Sequence, residues 1–168
     1  MTQKDIHIDI HGPVAVVRLT RPAKRNALSD GLILAIRNVF ETLPETVRAA
    51  VLDGEGDHFC AGLDLSELKE RDAGQGLYHS RMWHAALERV QYGPVPVIAA
   101  LHGAVVGGGL ELASACHIRV ADESTFYALP EGSRGIFVGG GGAVRIPRLI
   151  GAARMNDMML TGRVYNAV

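Results

Sequence analysis

The sequence predicts an α/β fold built of repeated β-β-α units. Short apolar segments alternate with segments of helical period, and Gly, Pro and Asp breaks separate them at close intervals. One run, Val95-Pro96-Val97-Ile98-Ala99-Ala100-Leu101, is apolar throughout, as a strand covered on both faces of a sheet must be. At 168 residues the chain has room for one domain, read as residues 1–168, with a substantial core.

The elements follow in order. Ile6, Ile8 and Ile10 alternate with polar residues, His11-Gly12-Pro13 turns, and Val14 to Leu19 returns, which is the pattern of a β-hairpin. Ser29 or Asp30 caps a helix whose stripe is Leu32, Ile36, Val39, Phe40 and Leu43. Ala49-Ala50-Val51-Leu52 reads as a buried strand ended by Asp53-Gly54. Leu65 to Arg71 is expected to be a short helix and Asp72-Ala73-Gly74-Gln75-Gly76 a flexible connection. Met82, Ala85, Ala86, Leu87 and Val90 carry a helix up to Gly93-Pro94. Beyond the apolar run come a glycine-led helix and short strands at Ile118-Arg119-Val120 and Thr125 to Ala128. A helix from Gly141 to Ile150 stops at Gly151, and Ala152 to Leu160 forms a last one. Tyr165-Asn166-Ala167-Val168 does not resemble a finished C-terminus, so a longer chain is expected.

Composition narrows the function classes. A formal net charge of -1 gives no pull toward nucleic acid or an anionic membrane, so an anionic ligand must be met by local Lys or Arg. Aromatic residues are only 5%, too few for base-stacking surfaces. Cys60 and Cys116 lie far apart without a CxxC pair, so neither a disulfide framework nor a zinc site is expected, and both read as small buried residues. His79 and His84 lack metal-ligand helical spacing, and no metal is expected. Met1 to Ile10, with Lys4, Asp5 and Asp9, has no signal-peptide core, and no apolar run is long enough to span a bilayer. A cytoplasmic location is the expectation.

Three segments carry chemistry. Gly107-Gly108-Gly109-Leu110-Glu111 leads glycines into an apolar helix with a carboxylate in its first turn. Glycine allows close backbone approach, and a helix start aims unpaired N–H groups and partial positive charge outward. This suits an oxyanion site, and it equally suits tight helix–strand packing. Phe59-Cys60-Ala61-Gly62-Leu63-Asp64 follows a strand and precedes a helix, so the Leu63 N–H is either a second oxyanion donor or part of a plain turn. Asp64 is either functional or a helix cap. Leu129-Pro130-Glu131 is a normal helix start that also presents a glutamate. The run Gly139 to Gly142 lacks the surroundings of a phosphate loop and is read as close packing. Jointly, two close-approach turns and two glutamates match what water addition to an activated double bond requires.

With these segments in order, the chain resembles the crotonase superfamily, the enoyl-CoA hydratase/isomerase family. Arg21-Pro22-Ala23-Lys24-Arg25-Asn26-Ala27-Leu28 resembles the family's early signature, Phe59 to Asp64 its first oxyanion loop, Pro96 through Glu111 its central signature, and Pro130-Glu131 its second acid/base position. The resemblance implies a crotonase-like (ClpP/crotonase) fold whose C-terminal helical segment lies beyond this sequence. It implies Leu63 and Gly108 N–H groups on the thioester oxygen, and Glu111 and Glu131 as the catalytic pair. It also implies CoA contacts from Lys24, Arg25, Ala27, Ala61, Asp64 and Leu65. Both glutamates favour an enoyl-CoA hydratase of fatty-acid or other acid catabolism over an isomerase, a hydratase/lyase or a silent CoA-ester binder. Coenzyme A then arrives as part of an acyl-CoA substrate, with no resident cofactor, in a homotrimer or dimer of trimers. The chain departs from the family pattern at His102, at Gly132-Ser133-Arg134 and at Val138, which bears on the acyl group more than on the reaction. No Ser/His pairing marks a protease.

Overall fold

The computed structural model describes residues 2, 3 and 5–168, with side chains from Asp5 onward. Met1 and Lys4, part of the N-terminal reading, lie outside the described residues. The first half runs β1 (Thr2–Gln3), β2 (Ile6–His11), β3 (Val14–Leu19), α1 (Asp30–Glu41), β4 (Ala49–Gly54) and α2 (Ala73–Gln91). The second runs β5 (Val97–Leu101), β6 (Ala104–Val106), α3 (Gly108–Ala115), β7 (Ile118–Ala121), β8 (Phe126–Ala128), α4 (Gly142–Ile150), α5 (Ala152–Thr161) and β9 (Tyr165–Asn166). A six-stranded sheet has the order β1-β2-β3-β4-β5-β7, and a three-stranded sheet has the order β6-β8-β9.

The hairpin of β2 and β3 forms as the alternation dictates, with Ile10 opposite Ala15 and His11 opposite Val14. From β3 onward the large sheet is parallel, Val17 pairing Leu52 and Leu52 pairing Ala99. Ala50, Leu52, Val97 and Ala99 are fully buried, consistent with the apolar β5 sequence. Ser29 is the cap of α1, its Oγ accepting from the Leu32 N–H at 3.1 Å, and Asp30 is the first helical residue. The buried face of α1 is Leu32, Ile33, Ile36, Val39 and Phe40, each large side chain contributing about 1.5–3 kcal/mol on removal from water. Leu43 packs partly on the core just beyond the helix.

Two expected elements differ. The segment Asp72 to Gly76 is the start of α2, not a flexible connection. The Asp72 carboxylate accepts from the Gln75 N–H (2.8 Å) while Gln75 Oε1 accepts from the Asp72 N–H (3.3 Å). This reciprocal cap offsets the roughly 1 kcal/mol that a helical glycine costs. Leu65 to Arg71 is not a helix; only Leu65–Glu67 makes a 3-10 turn, and Leu68 leaves it at φ -68°, ψ 119°. Leu65 and Leu68 stay about half exposed, so a helix here would have no apolar face to bury. Strands β6 and β9, of three and two residues, are too short to show a period in the sequence. Among the described residues no helix is long and apolar enough to cross a membrane.

Candidate active site

The loop after β4 lies along β6. Phe59 N–H donates to the His102 carbonyl (2.8 Å), Cys60 N–H to Ala104 (2.9 Å), and Val106 N–H back to Cys60 (3.1 Å). Leu63 is clamped against Leu28, whose N–H donates to the Gly62 carbonyl (2.7 Å) and whose carbonyl accepts from Asp64 N–H (2.9 Å). A parallel rung of this kind turns the Leu63 N–H away from Leu28. On the other side, β6 runs through Gly107 into α3, so the Gly108 N–H is an unpaired helix-start donor. The two amides are neighbours: a Cβ on Gly108 would stand 3.6 Å from Leu63 N. Among the described residues neither N–H has a protein acceptor.

The glycine run has separate duties. Gly107 sits at φ +53°, ψ -122°, a region open to glycine, and a Cβ there would stand 2.6 Å from Glu131 Oε1. Gly109 presses on the loop: a Cβ would run into the Cys60 carbonyl. The packing and close-approach readings therefore both apply to this run.

Glu111 is 4% exposed, in the first turn of α3, and its Oε1 accepts from Gly140 N–H (2.7 Å) and Gly142 N–H (2.9 Å). Burial raises its pKa to about 7; the two amides pull it down, and the nearby Glu131 charge pushes it up. The run Gly139 to Gly142 is closely packed as read from sequence, a Cβ on Gly142 meeting Val138 Cγ1 at 2.6 Å, and it is also a cradle for this chain's own carboxylate. Glu131 is 6% exposed in the turn ahead of Gly132–Arg134, and burial raises its pKa as well. Its Oε2 is the single buried side-chain polar atom among the described residues with no hydrogen-bond partner. Leu63, Gly108, Glu111 and Glu131 line one cavity of about 190 Å³.

Lys24, Arg25, Ala27, Ala61, Asp64 and Leu65 do not line that cavity. They form the turns that carry Leu63. Ala61 N–H donates to the Arg25 carbonyl (2.9 Å), Arg25 itself being left-handed at φ +51°. Lys24 is exposed and stands 3.9 Å from Asp64. Asp64 caps the 3-10 turn; hydrogen bonds from Ser66 and then from Arg21 hold its carboxyl down at about 2. Its charge is therefore spent inside the fold. His102 bonds the Gly56 carbonyl at 3.0 Å, and Val138 is core. Ser133 ties back to the Pro130 carbonyl (2.8 Å). Cys60 and Cys116 are buried free thiols pushed up to about 12 by burial.

The cavity has a second, polar wall. Asp30 Oδ1 receives the Trp83 indole N–H (3.1 Å) and meets His79 Nε2 at 2.7 Å, while Asp30 Oδ2 faces Arg71 Nη2 at 3.7 Å. All four residues line the same cavity as the two glutamates. Burial raises the Asp30 pKa, but the Trp83 and His79 hydrogen bonds outweigh it and the net shift is downward. The sequence signal for this wall was the i, i+4 spacing of His79 and Trp83 on α2.

Known proteins share this arrangement of elements. A sequence model of the enoyl-CoA hydratase/isomerase family matches residues 9–168. A Rhodopseudomonas palustris structure, provisionally named an enoyl-CoA hydratase, is 64% identical with a TM-score of 0.96 over 98% of this chain and 64% of that one. A Bacillus subtilis protein provisionally named an enoyl-CoA hydratase/isomerase is 38% identical over 92% of this chain and 60% of its own length. A Thermobifida fusca structure provisionally named an enoyl-CoA hydratase, solved in complex with CoA, is 26% identical with a TM-score of 0.89 over 97% of this chain and 66% of that one. The chain thus spans less than two thirds of the length of each of these three proteins. With its α/β crotonase fold and a family match from residue 9 to its last residue, the chain belongs to the enoyl-CoA hydratase/isomerase family of the crotonase superfamily.

Proposed function

We propose that this chain adds water across the double bond of a 2-enoyl-CoA thioester to give a 3-hydroxyacyl-CoA. The observation that carries the reading is the meeting, around one cavity, of two buried glutamates with two backbone N–H groups lacking a protein acceptor. The thioester oxygen accepts from the Leu63 and Gly108 N–H groups. Water oxygen bonds to Cβ, the double-bond pair moves to the Cα–carbonyl bond, and the carbonyl pair moves onto oxygen. Each donor aimed at that developing charge is worth about 3 kcal/mol.

Glu111, fixed through Oε1 by Gly140 and Gly142, orients the water with its free oxygen and takes its proton as the ionised base. Glu131, whose carboxyl burial pushes up from its ordinary value, delivers a proton to Cα as the enolate collapses. A proton passing from Glu111 back to Glu131 through water restores both, and the net change is one water gained. Lys24 and Arg25 meet the CoA phosphates, with Ala27, Ala61 and Leu65 along the same turns and Asp64 bracing them. The CoA complex of the Thermobifida fusca protein supports CoA as the handle. CoA comes with the substrate, and the chemistry uses no resident cofactor.

The test is loss of enoyl-thioester absorbance from crotonyl-CoA, with product mass raised by one water. Isomerisation would leave the mass unchanged and cleavage would give two products. No hydration of any 2-enoyl-CoA by the intact protein overturns the proposal.

A further inference from the structure

The polar wall of this cavity draws on α1, α2 and the segment just before α2. Asp30 opens α1, His79 and Trp83 share one face of α2, and Arg71 precedes α2. The Glu67 carboxylate is turned onto the Asp30 backbone N–H at 2.9 Å, which fixes the start of α1 against this wall. Asp30, Arg71 and His79 also line a second cavity of about 530 Å³, so they form the partition between the two spaces.

Arg71 is not saturated. Among the described residues its one ion-pair partner is Asp30 Oδ2 at 3.7 Å, well beyond the 2.7–3.2 Å of a hydrogen bond. Its side chain is 23% exposed, and its five-donor guanidinium has this single loose ion-pair contact. A hydroxyl oxygen inserted at this gap can accept from Arg71 and donate to Asp30 Oδ2. An alkyl terminus there would instead desolvate both charges without pairing them. A carboxylate would meet two acidic side chains, Asp30 and Glu67, and one guanidinium.

We infer that the Arg71–Asp30 gap is the specificity element for the far end of the acyl group, selecting short acyl-CoA thioesters with a terminal hydroxyl over alkyl-ended ones. This rests on the CoA-thioester reading of the cavity. His79 and Trp83 act as positioning residues that hold Asp30 through its other oxygen.

The experiment is calorimetric binding of saturated thioesters, which separates recognition from turnover. Probes are butyryl-CoA and matched ω-hydroxyacyl-, acyl- and ω-carboxyacyl-CoA of slightly greater length. The intact protein should bind the hydroxyl-ended member about tenfold tighter than its alkyl match, the scale of one charged hydrogen bond. Arg71→Met should erase that ratio, while Arg71→Lys retains part of it. Equal affinity for the hydroxyl and alkyl partners, tighter binding of the carboxylate, or an unchanged ratio in Arg71→Met overturns the inference. No binding of butyryl-CoA overturns the CoA-thioester reading beneath it.

Discussion

Glu111 and Glu131 line the same cavity and are equally hidden, yet their surroundings are opposites. One oxygen of Glu111 is held by two loop amides from Gly140 and Gly142, and its helix start adds partial positive charge. Glu131 has burial pushing its pKa up and one oxygen with no hydrogen-bond partner among the described residues. An orphaned buried oxygen costs free energy, and native folds leave few such groups unpaired. In the proposed hydration, the contrast separates a base that is seated in advance from an acid that is finished by its substrate.

The sharpest way to break that contrast is to neutralise each glutamate in turn. Glu131→Gln should lower kcat about a thousandfold with KM little changed, because it removes the proton and nothing replaces it. Glu111→Gln should lower kcat by about a hundredfold, since the amide oxygen still accepts from Gly140 and Gly142 and keeps a grip on water. A larger loss in Glu111→Gln than in Glu131→Gln would reverse the assigned roles.

Adding one methyl beside each carboxylate is a gentler probe. Gly107→Ala sets a Cβ 2.6 Å from Glu131 Oε1 at a glycine-only backbone angle, with a strain of about 1–3 kcal/mol. Gly140→Ala brings a Cβ only to 3.2 Å from Glu111 Oε1, at no strained φ. Steady-state rates should fall about tenfold further in Gly107→Ala, and its melting temperature should drop more. Equal effects would mean that the Glu131 carboxylate is free to move aside.

The smallest effect is thermal. The folded-state pKa of Glu111, about 7, stands above its ordinary 4.5. Its contribution to stability is therefore complete below about 4.5 and lost as pH rises through about 7. Glu111→Gln has no such loss, so its melting temperature should gain on the intact protein between pH 5 and pH 8. For the same reason kcat/KM should rise with pH through a coupled transition near 7, as Glu111 becomes an ionised base. A melting difference flat in pH would show that Glu111 is ionised throughout.

Much of the fold was legible because its signals are local. Ile6, Ile8 and Ile10 mark their strand, and Ser29 with Leu32, Ile36 and Phe40 marks α1. Glu111 and Glu131 stood out because glycine and proline breaks precede them. The cap of α2 was also written locally, as Asp72 with Gln75, but Gly74 and Gly76 masked it. What could not be read depends on distant pairing. The amides that hold Glu111 lie 29 and 31 residues downstream, and the Asp30–His79 contact spans 49 residues. Glycine at 140 and 142 announces backbone access without naming the acceptor.

The cradle of Glu111 ties the position of this carboxylate to the docking of α4. Its two donors lie at and just before the first turn of α4, and Arg145 of that helix bonds the Gly140 carbonyl (2.9 Å) and Gln91 at the end of α2 (2.6 Å). Without α4 in place, Glu111 would lose the two amides that hold its Oε1. A change that loosens α4 therefore also unseats the Glu111 carboxylate.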